Sequence, residues 1–462
     1  MTLKDKSHRG EQGAFGSLSA ADGKNGQTER SLFWNKKYLF LMAAQAVSNL
    51  GDWLYILALF VLIGFRWHAT PLVISGMMLA LTAPMAVLGP FTGVLADKWN
   101  RTTLMLVSNL VMAGLVAVIP WLPSKWMLFG VLVLVGIFES LFNPAEAGKL
   151  KEIVSDNHMK KAVSINSSIT QLAKVVGPGL SGVIVATLGS ASAFWLDSLS
   201  FIVSSLFLPF TGFQSQTDGL HNSSTAKNQS AADGITEEKP QEGAGKRFVA
   251  GLQHIRRVRM LFAGTLILTV ALLLIQLTDA QIVTLIRLVP DASSGLLGLI
   301  MALSGGGALL GALLVNVIKW KSASGIMAVG VLGCGVGLGG SALLVAFAHA
   351  TGHITAVWMA TIIGTALLVG VCAAFIFVPF QTMAQRSTPS HLTGRVFGTI
   401  GSLTTAAALV GPALGGVIVS ILGAIAGFLI TSATLLMLGA SIFVTRRWLE
   451  GTDASANSSI TQ

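Results

Sequence analysis

Residues 175–198 read VVGPGLSGVIVATLGSASAFWLDS, and residues 409–432 read LVGPALGGVIVSILGAIAGFLITS. Twelve of the 24 positions agree without a gap, and the offset of 234 residues is about half the chain. Chance does not produce that agreement even in apolar sequence. The chain is therefore two related halves, and each copy carries a Gly-Pro pair inside a long apolar run.

The composition says what medium the halves live in. The 462 residues are 53% hydrophobic and 11% charged, with a mean hydropathy of +0.72. Soluble chains carry about 25% charged residues, so this one cannot coat a water-exposed surface of its own size. That excludes a soluble enzyme, a nucleic-acid-binding domain and a disordered chain, and leaves an all-α membrane protein. A helix needs about 20 apolar residues to cross the hydrocarbon. Twelve stretches qualify: 38–64, 72–97, 102–122, 126–143, 163–187 and 191–213 in the first half, then 260–286, 294–318, 325–348, 355–383, 395–421 and 423–445. The repeat makes spans five and eleven copies, hence two six-helix bundles in parallel orientation, over 38–213 and 260–446.

Between the bundles, 214–245 is polar and rich in Ser, Asn, Gln and Glu, as a flexible linker is. Residues 246–259 (KRFVAGLQHIRRVR) form a basic amphipathic pattern suited to a membrane surface. Residues 1–37 and 447–462 are expected to be disordered cytoplasmic tails. The first apolar run is long enough to span, so it is expected to stay in the membrane as a signal-anchor.

Net charge +10 also has a membrane cause, because cytoplasmic loops collect Lys and Arg. With the N-terminus inside, Arg66, Lys125 and Arg287 lie outside and Lys174 lies within a span. The other 26 of the 30 fall inside, and without the long tail and linker the ratio is still 12 to 3. This predicts both termini in the cytoplasm. Cys334 and Cys372 sit in apolar runs and give neither a disulfide framework nor metal-ligand spacing. No Gly-Lys-Ser/Thr phosphate loop occurs, which argues against ATP-driven transport by this chain. Repeated halves with a central site are a usual build of secondary transporters.

Three motifs carry a family resemblance over about 34–448. The loop after span two reads Gly93-Val-Leu-Ala-Asp97-Lys-Trp-Asn-Arg101, with Asn100 where the pattern has its second Gly. Span eleven carries Gly398, Gly411, Pro412, Gly415 and Gly416, and span five the reduced form Gly177, Pro178 and Gly182. Gln45–Asp52 (QAVSNLGD) and Asn143–Pro144 complete the set. The chain resembles the major facilitator superfamily, and within it the drug–proton antiporter branch that includes macrolide-efflux and enterobactin-exporter-like proteins. The resemblance implies that Gly93, Asp97 and Arg101, with Arg395 at the start of span eleven, latch the halves in the outward-open state; the other reading is that the charges simply mark the end of a span. It implies that the Gly-Pro elements restrict leakage; plain tight packing of small residues explains them equally.

Ionisable groups inside spans are costly and point to function. In this superfamily spans one, four, seven and ten line the central cavity, which makes Asp52, Glu139 and Asp279 the proton-coupling candidates. Each has a second reading. Asp52 caps a break at Gly51 or pairs with Lys174, Asp279 pairs with Arg287, and Glu139 forms a gate salt bridge. Lys174 is a charge partner of these acids or an anion-binding group. Asp197 reads as a structural bond between helices. Gln45, Asn49, Gln276 and Phe375 are candidates for the substrate wall. The function expected is export of small amphipathic, drug- or macrolide-like compounds by proton-coupled antiport, by a monomer in the cell membrane. It would use the proton motive force and no cofactor or metal. The alternative is export or flipping of a siderophore or lysophospholipid in the same fold. A membrane-embedded enzyme lacks a clustered catalytic set in this sequence.

Overall fold

The computed structural model describes residues 32–212, 244–290, 292–317, 322–352, 355–389 and 392–451. The expectations for the tails within 1–31 and 452–462, and for the linker within 213–243, lie outside the described residues. The first half holds α1 (Lys36–Val61), α2 (Pro71–Lys98), α3 (Arg101–Val118), α4 (Lys125–Ile153), α5 (Asp156–Leu188) and α6 (Ser190–Phe207). A helix at Ala244–Arg257 (α7) precedes the second half. That half holds α8 (Arg259–Asp279), α9 (Ile282–Ile286), α10 (Ser294–Val317), α11 (Ala323–Thr351), α12 (Ala356–Arg386), α13 (Thr393–Leu422) and α14 (Ala424–Gly451).

Among the described residues, eleven helices are long and apolar enough to cross a membrane. The twelfth is α5. It is 33 residues long, but only Val176–Leu188 is apolar. Its polar first part is partnered within the first half: Asn166 donates to Glu146 of α4 at 3.0 Å. The protein is thus an all-α membrane protein of twelve transmembrane helices in two six-helix halves.

Local chemistry sets the helix ends. Asn35, Asn100, Ser124, Ser322 and Thr355 each accept a first-turn backbone N–H at the start of α1, α3, α4, α11 and α12, satisfying donors that have no partner inside a helix. Gly189 (φ 83°) joins α5 to α6, and Gly423 (φ 85°) joins α13 to α14. These are equivalent positions of the repeat, and only glycine adopts that backbone without strain. A shared bond follows in each copy. Ser198 donates to the Ala113 carbonyl at 2.8 Å, and Ser432 to the Gly335 carbonyl at 2.7 Å.

Several boundaries differ from the sequence expectation: span five, expected from 163, starts at Asp156, and residues 32–37 of the expected first tail hold a 3-10 turn (Leu32–Trp34) and the start of α1. Span four, expected at 126–143, continues as helix to Ile153, because Lys149 is held in the protein by Glu152 and the Gly212 carbonyl, each at 2.7 Å. Span seven, expected as one stretch over 260–286, breaks after Asp279 into α8 and α9. The second tail, expected from 447, begins with α14 still helical to Gly451. The amphipathic pattern at 246–259 forms α7, whose Gly251 lies against α13: a Cβ there would overlap Thr399 Oγ1.

The halves meet on the face away from the chain ends. There α5 packs on α10 and α2 on α13. A Cβ at Gly182 would overlap the Gly298 carbonyl oxygen, and one at Gly416 would overlap Ser75 Oγ. Toward the chain ends, Gly89 and Gly93 of α2 and Gly398 and Gly401 of α13 have open space where a Cβ would stand. The halves are closed on one face and parted on the other.

This closure is testable with a disulfide. A Cβ at Gly64 would lie 3.2 Å from Val283 Cβ, near the separation of about 3.5–4.5 Å that a disulfide needs. In the double variant Gly64→Cys/Val283→Cys, oxidation should protect both new thiols from alkylation after unfolding, while each single variant's thiol is alkylated once the protein is unfolded. Full alkylation of the oxidised double variant would show that these turns do not meet.

Candidate functional site

Two cavities and one interhelix clasp make up the site. Gln45, Asn49 and Asp52 follow one another at spacings of four and three residues, which sets them on one face of α1. With Tyr55 they line a cavity of about 110 Å³ in the first half, together with Glu139 and Asn143 of α4. Asp197 of α6 stands behind it, fully buried. Its Oδ1 accepts from Ser200 Oγ at 3.1 Å, and its Oδ2 has no hydrogen-bond partner. The bond expected to join two helices therefore lies within α6. The contact to α1 is packing on Gly51, where a Cβ would overlap Asp197 Oδ1. Asp52, Glu139 and Asp197 lie within electrostatic reach of one another.

The second half is different. Asp279 ends α8 and lines a cavity of about 80 Å³ whose other walls are nearly all apolar, among them Ile282, Met301, Leu338 and Phe428. Neither Asp52, Glu139 nor Asp279 forms an ion pair among the described residues. Arg287, the sequence's suggested partner for Asp279, donates instead to the Ala69 carbonyl at 2.8 Å. Its pKa is lowered by burial. Lys174 lies on α5, and its side chain is outside the described part of the structure.

A buried polar clasp closes the face away from the chain ends. Gln281 Nε2 donates to Ser75 Oγ at 2.8 Å and to the Pro71 carbonyl at 3.1 Å, while Ser75 Oγ donates to the Pro412 carbonyl. Gln281 and Ser75 are buried. The break between α8 and α9 is what frees Gln281 to face α2. The sequence gave no sign of Ser75, one hydroxyl among many in apolar helices.

The remaining candidates divide. Gln45 and Asn49 join Asp52 at its cavity, but Gln276 packs on α13 beside Gly411, and Phe375 is buried against Gly330 of α11. On the face of the chain ends, Arg101 reaches Asp97 Oδ1 (3.6 Å), Glu152 Oε2 (3.7 Å) and the Gly148 carbonyl (3.0 Å). Those partners all belong to the first half. Arg395 lies across on α13, where its carbonyl accepts from Thr399. The Gly-Pro elements make equivalent contacts in the two halves. A Cβ at Gly177 would meet Trp53 of α1 at 2.5 Å, and one at Gly411 would meet Gln276 of α8 at 2.7 Å. Gly182 and Gly416, equivalent positions of the repeat, each face the opposite half, and Gly415 faces the Leu277 carbonyl. Pro178 and Pro412 sit inside unbroken helices.

The family model described as Major Facilitator Superfamily matches residues 41–404. The chain belongs to the Major Facilitator Superfamily. It is 34% identical over 415 residues to the uncharacterized MFS-type transporter YfiS of Bacillus subtilis, covering 89% of this chain and 94% of that one. It is 27% identical over 428 residues to the multidrug efflux pump Tap of Mycolicibacterium fortuitum, covering 88% and 95%. The crystal structure of a POT family transporter in complex with a thioalcohol-conjugated peptide shares the fold, with a TM-score of 0.61 at 11% identity over 89% of this chain and 96% of that one. Membership in the superfamily makes the protein a transporter, and at that level not an enzyme.

In a facilitator protein the two faces open in turn, so the clasp should weigh directly on that balance. Ser75→Ala leaves the Gln281 amide and the Pro412 carbonyl short of a partner, at a cost of about 1–3 kcal/mol to the closed face. Val283 is buried there. A Val283→Cys reporter should react several times faster with an impermeant maleimide in the Ser75→Ala background than with Ser75 intact. Equal rates would show that the clasp does not hold the face shut.

Proposed function

We propose that the protein exports small amphipathic compounds from the cell by proton-coupled antiport, as a monomer in the cell membrane with both termini in the cytoplasm. The observation that carries this reading is that Asp52 and Glu139 line one cavity of the first half with Asp197 within electrostatic reach behind it. Carboxyls crowded away from water share protons, and hydration releases them. A cavity that meets water from one face and then the other would thus take up and give off protons in step with the conformational change. The multidrug efflux activity in the name of the Mycolicibacterium relative supports the substrate class and the direction.

On this reading the closed face is the outer one, and the structure is the inward-open state. Outward opening would bring the free surfaces of Gly93 and Gly398 together. Asp97 would then approach the N-terminal end of α13 near Arg395, where a helix dipole favours a carboxylate by about 0.3–1 kcal/mol. In the present state Asp97 Oδ1 lies 3.6 Å from Arg101 of the same half. Among the described residues neither cavity is lined by Lys or Arg, so the described walls offer no counter-charge to the anionic alternative, a siderophore or a lysophospholipid.

The test is antiport in energised vesicles over a panel of dyes, macrolides and siderophores. Wild type should release protons when substrate is added, and Asp52→Asn should lose about tenfold or more of that response, as expected of an intramembrane acid on a proton path. Substrate movement without any pH response in wild type would overturn proton coupling.

A further inference from the structure

A cavity of about 350 Å³ on the face of the chain ends lies apart from both acidic sites. It sits where α1 begins and where α4 turns into α5, so it falls at the border between hydrocarbon and water. Its frame is fixed by one amide. Asn35 Nδ2 donates to the Ile153 carbonyl at 2.7 Å, and Asn35 Oδ1 accepts from the Tyr38 N–H at 3.3 Å. Leu32 and Val154 are buried and supply its apolar side. Lys36 and Lys37 line it and are exposed, while no Asp or Glu lines it among the described residues. Neither lysine has a hydrogen-bond or ion-pair partner among the described residues. His158 Nδ1 lies 3.2 Å from Ser155 Oγ, which leaves Nε2 to a ligand. Asp156 follows Ser155 as the first residue of α5, and its side chain lies outside the described part of the structure. Trp34 also lines the cavity and is 79% exposed.

We infer that this cavity binds the headgroup of an anionic phospholipid from the adjoining leaflet. Three observations support a lipid over a free anion. First, two lysines and an imidazole on one wall suit a phosphodiester, and basic pockets at span ends are where such headgroups bind. A zwitterionic headgroup brings its own cation to those lysines, so the net charge of the lipid decides. Second, an exposed indole at the end of a span sits at headgroup depth. Leu39, three residues on from Lys36 and so on the same side of α1, is exposed. It continues the site as an apolar surface on which an acyl chain can lie. Third, about 350 Å³ falls within the roughly 300–1,000 Å³ of small-molecule sites, more room than a bare phosphate fills. Lys36 and Lys37 would then do more than mark the end of a span. They would hold one lipid against the seam between α1 and the α4–α5 turn.

The test is lipid binding to the full chain in detergent, read by native mass spectrometry. The probes are phosphatidylglycerol, phosphatidylcholine with the same acyl chains, and inorganic phosphate. Wild type should bind phosphatidylglycerol about tenfold more tightly than phosphatidylcholine, a difference readily resolved in dissociation constants. Lys36→Gln/Lys37→Gln should bring the two lipids within about twofold. The control is Arg256→Gln/Arg257→Gln. It removes two charges from exposed residues at the end of α7, on the same face but outside the cavity, and should keep the preference. Equal binding of the two lipids by wild type, or a preference that survives in the lysine variant, would overturn the site. An equal loss in the arginine variant would overturn it too, by making the attraction a property of the whole face. Displacement of phosphatidylglycerol by inorganic phosphate at equal concentration would make the cavity a free-anion site and overturn the lipid. Binding is read without transport, so the outcome is independent of the exporter reading.

Discussion

A Cβ at Gly182 would overlap the backbone of Gly298, and one at Gly416 would strike Ser75 and the Pro71 carbonyl. The halves therefore close on one face only because glycine lets backbone meet backbone. Inside a membrane there is no hydrophobic gain from pressing two apolar helices together, so close packing and hydrogen bonds must hold the interface. Both are present here. The glycines bring α2 and α13 near enough for Ser75 to reach the Pro412 carbonyl, and the break after Asp279 turns Gln281 toward Ser75. The interface buries polar groups with partners and few bulky side chains. Such a contact holds while its geometry is kept and gives way as a unit when it is not, which suits a face that must open and shut.

The acids follow from the same constraint. A carboxylate inside the hydrocarbon is costly, and the chain meets that cost differently at each position. Glu146 accepts from Asn166 and so has a partner in its own half. Asp197 accepts from Ser200 and presses on Gly51, leaving one oxygen without a partner. Asp52 and Asp279 line cavities instead. A structural role accounts for Glu146 well, for Asp197 in part, and for Asp52 and Asp279 hardly at all.

How much of this was legible in the sequence differs by kind of feature. The halves, the spans and the equivalent glycines were written in the 24-residue repeat, because backbone approach constrains residue size at fixed positions. Asp52, Gln45 and Asn49 were legible as one helix face from their spacing. The grouping of Asp197 with Asp52 and Glu139 was not, since three helices far apart in sequence bring them together. The helix contacts of Phe375 and Gln276 were not legible for a related reason: apolar spans carry little amphipathic pattern, so the rotation of each helix is set by neighbours that the sequence does not name. The break in span seven was hidden because Ala280 and Gln281 carry no Pro or Gly to mark it.

The repeat also shows what duplication kept and what it let go. Gly177, Gly182, Gly189 and Ser198 recur as Gly411, Gly416, Gly423 and Ser432, and each pair does the same packing, turning or bonding work. Asp197 recurs as Thr431, whose hydroxyl is committed to the Gly427 carbonyl of its own helix. The framework was thus held fixed while the polar groups diverged. Among the described residues, one half sets Asp52 and Glu139 on a cavity with several amide and hydroxyl groups, and the other sets Asp279 on a mostly apolar one. Unequal halves on an equal framework give the two bundles cavities of different chemistry while their packing stays matched.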